Sequence, residues 1–216
     1  SAVSEERFSR IKMDKSFPAK SIKYILSENN LKIKDLDQVA YSWSKGFDES
    51  ILNIYTERSA DLINKSNESY DIFQERIKIE ISRDAIKRNE FWSWASENLN
   101  QNLYSNIYSC YHHEAHAYSA ALLSPFNKGV VLTSDGRGDF ESSTVWFFDR
   151  SLQFPLKKLY SNTSSDSLGF FYGRITGLLG FKPCRHEGKI TGLAARGNPK
   201  KALNLMENMI NFSNGK

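Results

Sequence analysis

Three of the chain's four histidines fall within five residues, in the run Tyr111-His112-His113-Glu114-Ala115-His116-Ala117. On a helix, His112 and His116 stand four residues apart and share one face. Two imidazoles so placed are a common holder for a transition metal. His113 projects about 100° away and is expected to stay outside that pair. The run is not the zinc-protease pattern H-E-x-x-H, because His116 follows His113-Glu114 one residue too soon. The plainer alternative is a surface cluster of histidines. Asp135 offers a third ligand. It follows Val130-Val131-Leu132-Thr133, expected to be a buried strand, and opens Asp135-Gly136-Arg137-Gly138-Asp139. A carboxylate at a strand end can meet a metal, and glycines at 136 and 138 let backbone N–H groups approach phosphate oxygens. The competing reading is a hairpin turn, for which Asp-Gly is a strong signal.

Two further segments could meet a phosphate. Glu187-Gly188-Lys189-Ile190-Thr191-Gly192-Leu193-Ala194-Ala195-Arg196-Gly197 contains Gly-Lys, but position 183 is Pro and Ile follows Lys189. It therefore lacks both the upstream glycine and the hydroxyl of a P-loop. Lys189 remains a point charge for a phosphate, or a surface lysine at a helix start. In Ser167-Leu168-Gly169-Phe170-Phe171-Tyr172-Gly173, a glycine at a helix opening favours close approach of an anion. The aromatic trio there reads as core packing.

These residues need elements to hold them. The first half reads mainly helical. A helix is expected after Phe17-Pro18, through Ile22, Ile25 and Leu26, to Asn29-Asn30. Gln38–Trp43 is a strand candidate by alternation, and one or two long amphipathic helices are expected from about Glu49 to Leu99. In the second half, strands are expected over Asn106–Tyr111, Val130–Thr133, Ser143–Phe148 and Leu156–Tyr160. The Val130 and Ser143 strands are expected to form a hairpin through a Gly-containing turn. Helices are expected over His113–Leu123, Gly169–Leu179 and Lys189–Ala195. The mixture predicts an α/β domain with a mixed sheet, divided into a mostly helical portion at 1–104 and an α/β core portion at 105–216.

Composition narrows the classes. The 216 residues are 40% hydrophobic and 25% charged, with a net charge of +4. That is ordinary for a globular chain and supplies no basic stripe of the kind nucleic acid demands. Two cysteines, Cys110 and Cys184, make no disulfide scaffold. No apolar run approaches the roughly 20 residues of a membrane span. The cytoplasm, with no nucleic-acid or membrane partner, is the expectation. The chain opens at Ser1 on a charged stretch and reads as a piece of something longer.

Taken in order, the segments Glu5–Arg10, His112–Ala120, Asp135–Gly138, Ser167–Tyr172 and Gly188–Gly197 resemble one family. It is the O-carbamoyltransferases that modify nodulation signals and aminoglycoside or cephem antibiotics. The resemblance implies an actin-like ATPase (ribonuclease H-like) fold, incomplete here and with a helical insertion. It is similar to proteins that transfer threonylcarbamoyl to tRNA. It implies that His112, His116 and Asp135 bind a divalent transition metal, Fe2+ foremost. It implies that Lys12, Gly136, Arg137, Gly138, Gly169 and Lys189 face carbamoyl adenylate, made from carbamoyl phosphate and ATP by a downstream domain of the same polypeptide. The acceptor would be a hydroxyl of a sugar-like or antibiotic-like molecule, and the catalytic base would lie upstream of Ser1. The stretch from Ser44 to Asn102 matches none of the motifs. The alternatives are a tRNA threonylcarbamoyltransferase or sugar kinase on the same fold, or a non-enzymatic metal- or nucleotide-binding protein.

Overall fold

The computed structural model describes residues 2–44, 53, 56–57 and 70–210. The helical run expected from Glu49 lies outside the described residues over 49–52, 54–55 and 58–69. The chain divides into two compact units, Ser1–Ala115 and His116–Lys216.

The first unit is built around one long helix. After α1 (Glu6–Ser9), helix α2 runs over Ala19–Glu28 with Pro18 before it and Asn29 after it, as its punctuation predicts. Glu5 caps α2 from a distance. Its carboxylate accepts from the N–H of Lys20 at 3.3 Å, from the N–H of Ser21 at 2.8 Å and from the Ser21 hydroxyl at 2.7 Å. A carboxylate is favoured there because the first-turn N–H groups have no partner within the helix and carry positive partial charge. Helix α3 covers Tyr70–Asn98. Its buried positions Ile77, Asp84, Arg88, Phe91 and Ala95 recur at three-, four- and seven-residue intervals, one stripe of a helix. The stripe ends in a core of Phe91, Ala95, Leu99, Leu103 and Ile107, flanked by Phe17, Val39 and Tyr41. Arg88 reaches the Ser44 carbonyl at 3.0 Å and hydroxyl at 3.2 Å.

Helix α4 (Gln101–Ser105) starts at Asn100, whose side chain accepts from the Leu103 N–H at 2.9 Å. The strands expected at 38–43 and 106–111 are present but short. Strand β1 (Ala40–Tyr41) pairs in parallel with β2 (Tyr108–Ser109). Burial alternates beyond the paired residues, which is why the pattern reads longer than the ladder.

Helix α5 (His112–Leu123) runs across the division between the units. In the second unit its Ala117 and Ala121 pack on Val131, Trp146 and Phe148. The last three residues belong to an antiparallel sheet of β3 (Lys128–Gly138), β4 (Glu141–Asp149) and β5 (Leu156–Thr163), in the order β3-β4-β5. Parallel and antiparallel pairing thus both occur, but among the described residues they fall in separate sheets rather than in one mixed sheet. The apolar run at 130–133 is not buried throughout. Val131 and Thr133 are buried, whereas Val130 and Leu132 are 65% and 71% exposed. Arg150 donates to the carbonyls of Ala121, Leu122 and Ser124 at 2.7–2.9 Å, a cation satisfying the open end of α5. Helices α6 (Leu168–Leu178), α7 (Glu187–Ala194) and α8 (Leu203–Glu207) follow.

The hairpin turn lies elsewhere than the Asp-Gly signal indicated. Ser134 pairs with Ser143 and Gly138 with Glu141, so Asp135, Gly136 and Arg137 stand opposite Ser142 alone. That is a bulge inside the strand. The two-residue turn is Asp139-Phe140, with φ of 48° and 68°, the left-handed pair that a type I′ hairpin requires. Both residues are buried, at 2% and 3% exposure, so burial rather than local turn preference selects them.

Candidate metal centre

Within the second unit, His116 on α5 meets Asp135 in the β3 bulge. One continuous helix fixes the spacing of His112 and His116. The strand of the same unit fixes His116 against Asp135. The His116 Nε2 and Asp135 Oδ2 atoms are 3.6 Å apart, with the two side chains 51% and 44% exposed. One ligand atom from each of His112, His116 and Asp135 lies within 4.8 Å of the other two. Ligands bonded at ~2.1 Å to one cation are at most about 4.2 Å apart. The donor set fits one metal after small side-chain rotations, and two imidazoles with one carboxylate suit a divalent transition metal.

Two of the three side chains are held from behind. The Trp43 ring packs on the His112 ring, centroids 4.8 Å apart. His113 is fully buried and stays out of the cluster, as the helical offset predicts. Asp135 accepts the Gly136 N–H through Oδ1 at 2.6 Å, leaving Oδ2 toward His116. The bulge is what turns this carboxylate out of the ladder.

Helix α6 docks its first turn on the same bulge. A Cβ placed on Gly169 would stand 3.0 Å from the Gly136 Cα, 3.3 Å from its N and 3.5 Å from the Asp135 carbonyl oxygen. Ser167 caps α6 by accepting the Phe170 N–H at 3.1 Å, and its hydroxyl reaches the Asp135 carbonyl at 3.5 Å. The missing side chain at 169 therefore serves the contact of helix with strand. Phe170 lies beside Gly136, but Tyr172 departs from the core reading. It is 39% exposed and its hydroxyl meets that of Thr191 on α7 at 3.0 Å.

A family model described as "Carbamoyltransferase N-terminus" matches residues 1–214. The chain belongs to this family. Among its relatives, an uncharacterized protein of Synechocystis is 28% identical, over 98% of this chain and 33% of its own length. The nodulation protein NolNO of Sinorhizobium fredii is 31% identical, over 95% of this chain and 27% of its own length. An uncharacterized protein of Methanocaldococcus jannaschii is 32% identical, over 90% of this chain and 28% of its own length. The chain thus spans about a third or less of the curated relatives it matches.

The other residues that the family resemblance singled out divide into groups. Gly136, Arg137, Gly138 and Gly169 come together at the bulge, with Gly138 closing the hairpin against Glu141. Lys189 lies on α7, exposed, its Nζ 3.4 Å from His186 Nε2. Burial and the charges of Lys189 and Arg185 lower the His186 pKa, and its Nδ1 accepts the Lys182 N–H at 3.1 Å. Gly188 and Gly192 differ from Gly169, since a Cβ on either would meet nothing within 4 Å. Lys12 is exposed in the turn after α1, within the first unit. The neighbouring Glu5 and Glu6 serve local structure, Glu5 as the cap of α2 and Glu6 by accepting the Met13 N–H at 2.8 Å. That role was hidden in the sequence, because the partners of Glu5 lie fifteen and sixteen residues on. Cys110 is half-buried and Cys184 exposed, neither in a disulfide. Among the described residues no helix is long and apolar enough to cross a membrane.

Proposed function

We propose that the chain is the N-terminal part of a cytoplasmic O-carbamoyltransferase with an actin-like fold, acting on the hydroxyl of a sugar-like or antibiotic-like acceptor. The donor would be carbamoyl adenylate, formed from carbamoyl phosphate and ATP by another domain of the same polypeptide. One observation carries the reading. A chain of the carbamoyltransferase N-terminus family brings two imidazoles and a carboxylate within 4.8 Å of one another.

The transfer is an acyl transfer. The acceptor oxygen bonds to the carbamoyl carbon, the bond from that carbon to the adenylate phosphate oxygen breaks, AMP leaves, and the hydroxyl proton passes to a base. Negative charge gathers on the carbonyl oxygen and on the departing phosphate. A divalent metal such as Fe2+, held by His112, His116 and Asp135, would supply Lewis-acid stabilisation of that charge. The chain's own part is to place groups. Trp43 and the α5 backbone orient the His112 ring. Gly136, Arg137 and Gly138 of the bulge, and Gly169 at the start of α6, would face the adenylate phosphate, which backbone N–H groups and a guanidinium favour. Lys12 and Lys189 would contribute positive charge toward the adenylate.

The test is His116→Ala in the complete protein. Metal content and carbamoyl transfer should both be lost while carbamoyl adenylate formation continues. Undiminished metal content by elemental analysis would reject the assignment. Offering tRNA and hydroxylated sugars side by side as acceptors separates this reading from a threonylcarbamoyl transferase.

A further inference from the structure

Helix α3 carries a buried charge in a row of apolar positions. Arg88 is 4% exposed, on the stripe that also holds Ile77, Phe91 and Ala95. Taking a guanidinium out of water is costly, and an apolar side chain of similar size commonly serves such a position as well or better. What an apolar side chain cannot do is grip a backbone. The Arg88 Nε donates to the Ser44 carbonyl at 3.0 Å, and its Nη2 donates to the Ser44 hydroxyl at 3.2 Å. The planar fork of arginine makes two such bonds in one fixed geometry.

The gripped segment leads to the cluster. Strands β1 and β2 run parallel, so the chain leaves both at the same end. The ladder bond nearest that end runs from the Cys110 N–H to the Tyr41 carbonyl at 3.2 Å. Beyond it, side chains hold the segment. Phe91, about one turn along α3 from Arg88, stacks flat on Tyr41 with centroids 3.8 Å apart. The Ser109 hydroxyl donates to the Trp43 carbonyl, and Arg88 holds Ser44. Trp43 is thus fixed through the residues around it, and its ring packs on the His112 ring at 4.8 Å. Helix α5 sets where the His112 backbone stands, but an imidazole still turns about χ1 and χ2. A second ring pressed on it removes that freedom, and a side chain ordered in advance binds with less entropy to lose.

We infer that Arg88 is a positioning residue for the metal cluster: by gripping Ser44 it sets the Trp43 ring, and that ring holds the His112 imidazole in its ligating orientation. The inference rests on the metal-centre reading. It gives α3, which supplies none of the three ligands, a part in metal affinity.

The experiment titrates the complete, metal-free protein with Co2+ alone, whose visible absorption reports the geometry of its ligands. A urea midpoint is measured beside each dissociation constant. Arg88→Met should weaken Co2+ binding about tenfold, the lower end of the loss when a partner that orients a ligand is removed. It should also change the visible spectrum. Ser44→Ala keeps the carbonyl bond and should weaken binding about threefold, as one hydrogen bond warrants. Trp43→Ala should match Arg88→Met, and Trp43→Phe, which keeps a ring against His112, should restore most of the affinity. The control is Leu103→Ala, a truncation in the same core. It should lower the urea midpoint yet leave the Co2+ constant and spectrum unchanged. If Arg88→Met does not fold, Ser44→Ala and the two Trp43 variants decide the matter. A folded Arg88→Met or Ser44→Ala with undiminished affinity would overturn the inference, as would equal weakening in Leu103→Ala. His116→Ala separates the two readings. Co2+ binding that survives His116→Ala rejects the metal centre and the inference with it. Binding lost there but unmoved by Arg88→Met and Ser44→Ala rejects the positioning role alone.

Discussion

Replacing Gly169 with Ala tests the docking of α6 on the bulge. Elsewhere in a helix this change is favourable by up to about 1 kcal/mol, because alanine loses less backbone entropy. Here the added carbon would stand 3.0 Å from the Gly136 Cα and 3.3 Å from the Gly136 N. Ordinary carbon contacts lie at ~3.5–4.0 Å, so helix and strand must separate by about half an ångström. Both obstructing atoms are backbone, and no side-chain rotation relieves them. Overpacking of this kind costs typically about 1–3 kcal/mol, which outweighs the helix-propensity gain. A net loss of roughly 1–2 kcal/mol lowers Tm by about 2–8 °C for a chain of this size. The same displacement moves Asp135, whose carbonyl is the third near atom at 3.5 Å. Metal retention should therefore fall along with stability. The matched control is Gly192→Ala, where a Cβ meets nothing within 4 Å. It should be neutral or stabilising by up to about 1 kcal/mol. Urea denaturation and elemental analysis of the two variants decide the matter. If Gly169→Ala is as stable as Gly192→Ala and keeps its metal, the close approach of α6 to the bulge is wrong.

Asp135→Asn should reduce metal retention several-fold on dialysis, since an amide is a poorer ligand than a carboxylate; equal retention removes Asp135 from the cluster. Phe148→Ala should cost about 3–5 kcal/mol in urea unfolding, as it empties the core beneath Ala117 and Ala121. Burial acts to raise the Glu5 carboxyl, but the hydrogen bonds from Ser21 and Lys20 outweigh it and hold the pKa below the usual 4.5. A depressed carboxylate contributes stability above its unfolded pKa and loses it as pH falls through the folded one. Glu5→Gln should therefore flatten the fall in urea midpoint below pH 4.5, and an unchanged slope would contradict the cap. The Asp14 carboxyl, lowered to about 2 by Ser9 and Ser16, should act in the same sense at still lower pH in the Asp14→Asn comparison.

What could be read from the sequence was whatever depends on periodicity. The pairing of His112 with His116 follows from 3.6 residues per turn, as does the exclusion of His113. Punctuation placed the ends of α2 for the same local reason. The bulge was not legible, because it is a property of two strands in register and neither strand announces it alone. Asp-Gly carried a turn signal at 135–136, yet the chain turns at Asp139-Phe140, where both residues take positive φ while buried. A left-handed phenylalanine is costly locally, on the order of 1–3 kcal/mol. Burying its ring offsets that, and a local rule has no access to the offset. Had the turn formed at the Asp-Gly pair, Asp135 would sit at a hairpin tip. By turning four residues later the chain keeps Asp135 on the strand beside α5, opposite Ser142 alone, with Oδ2 3.6 Å from His116. The feature that sequence reasoning misplaced is therefore the one that brings Asp135 to His116.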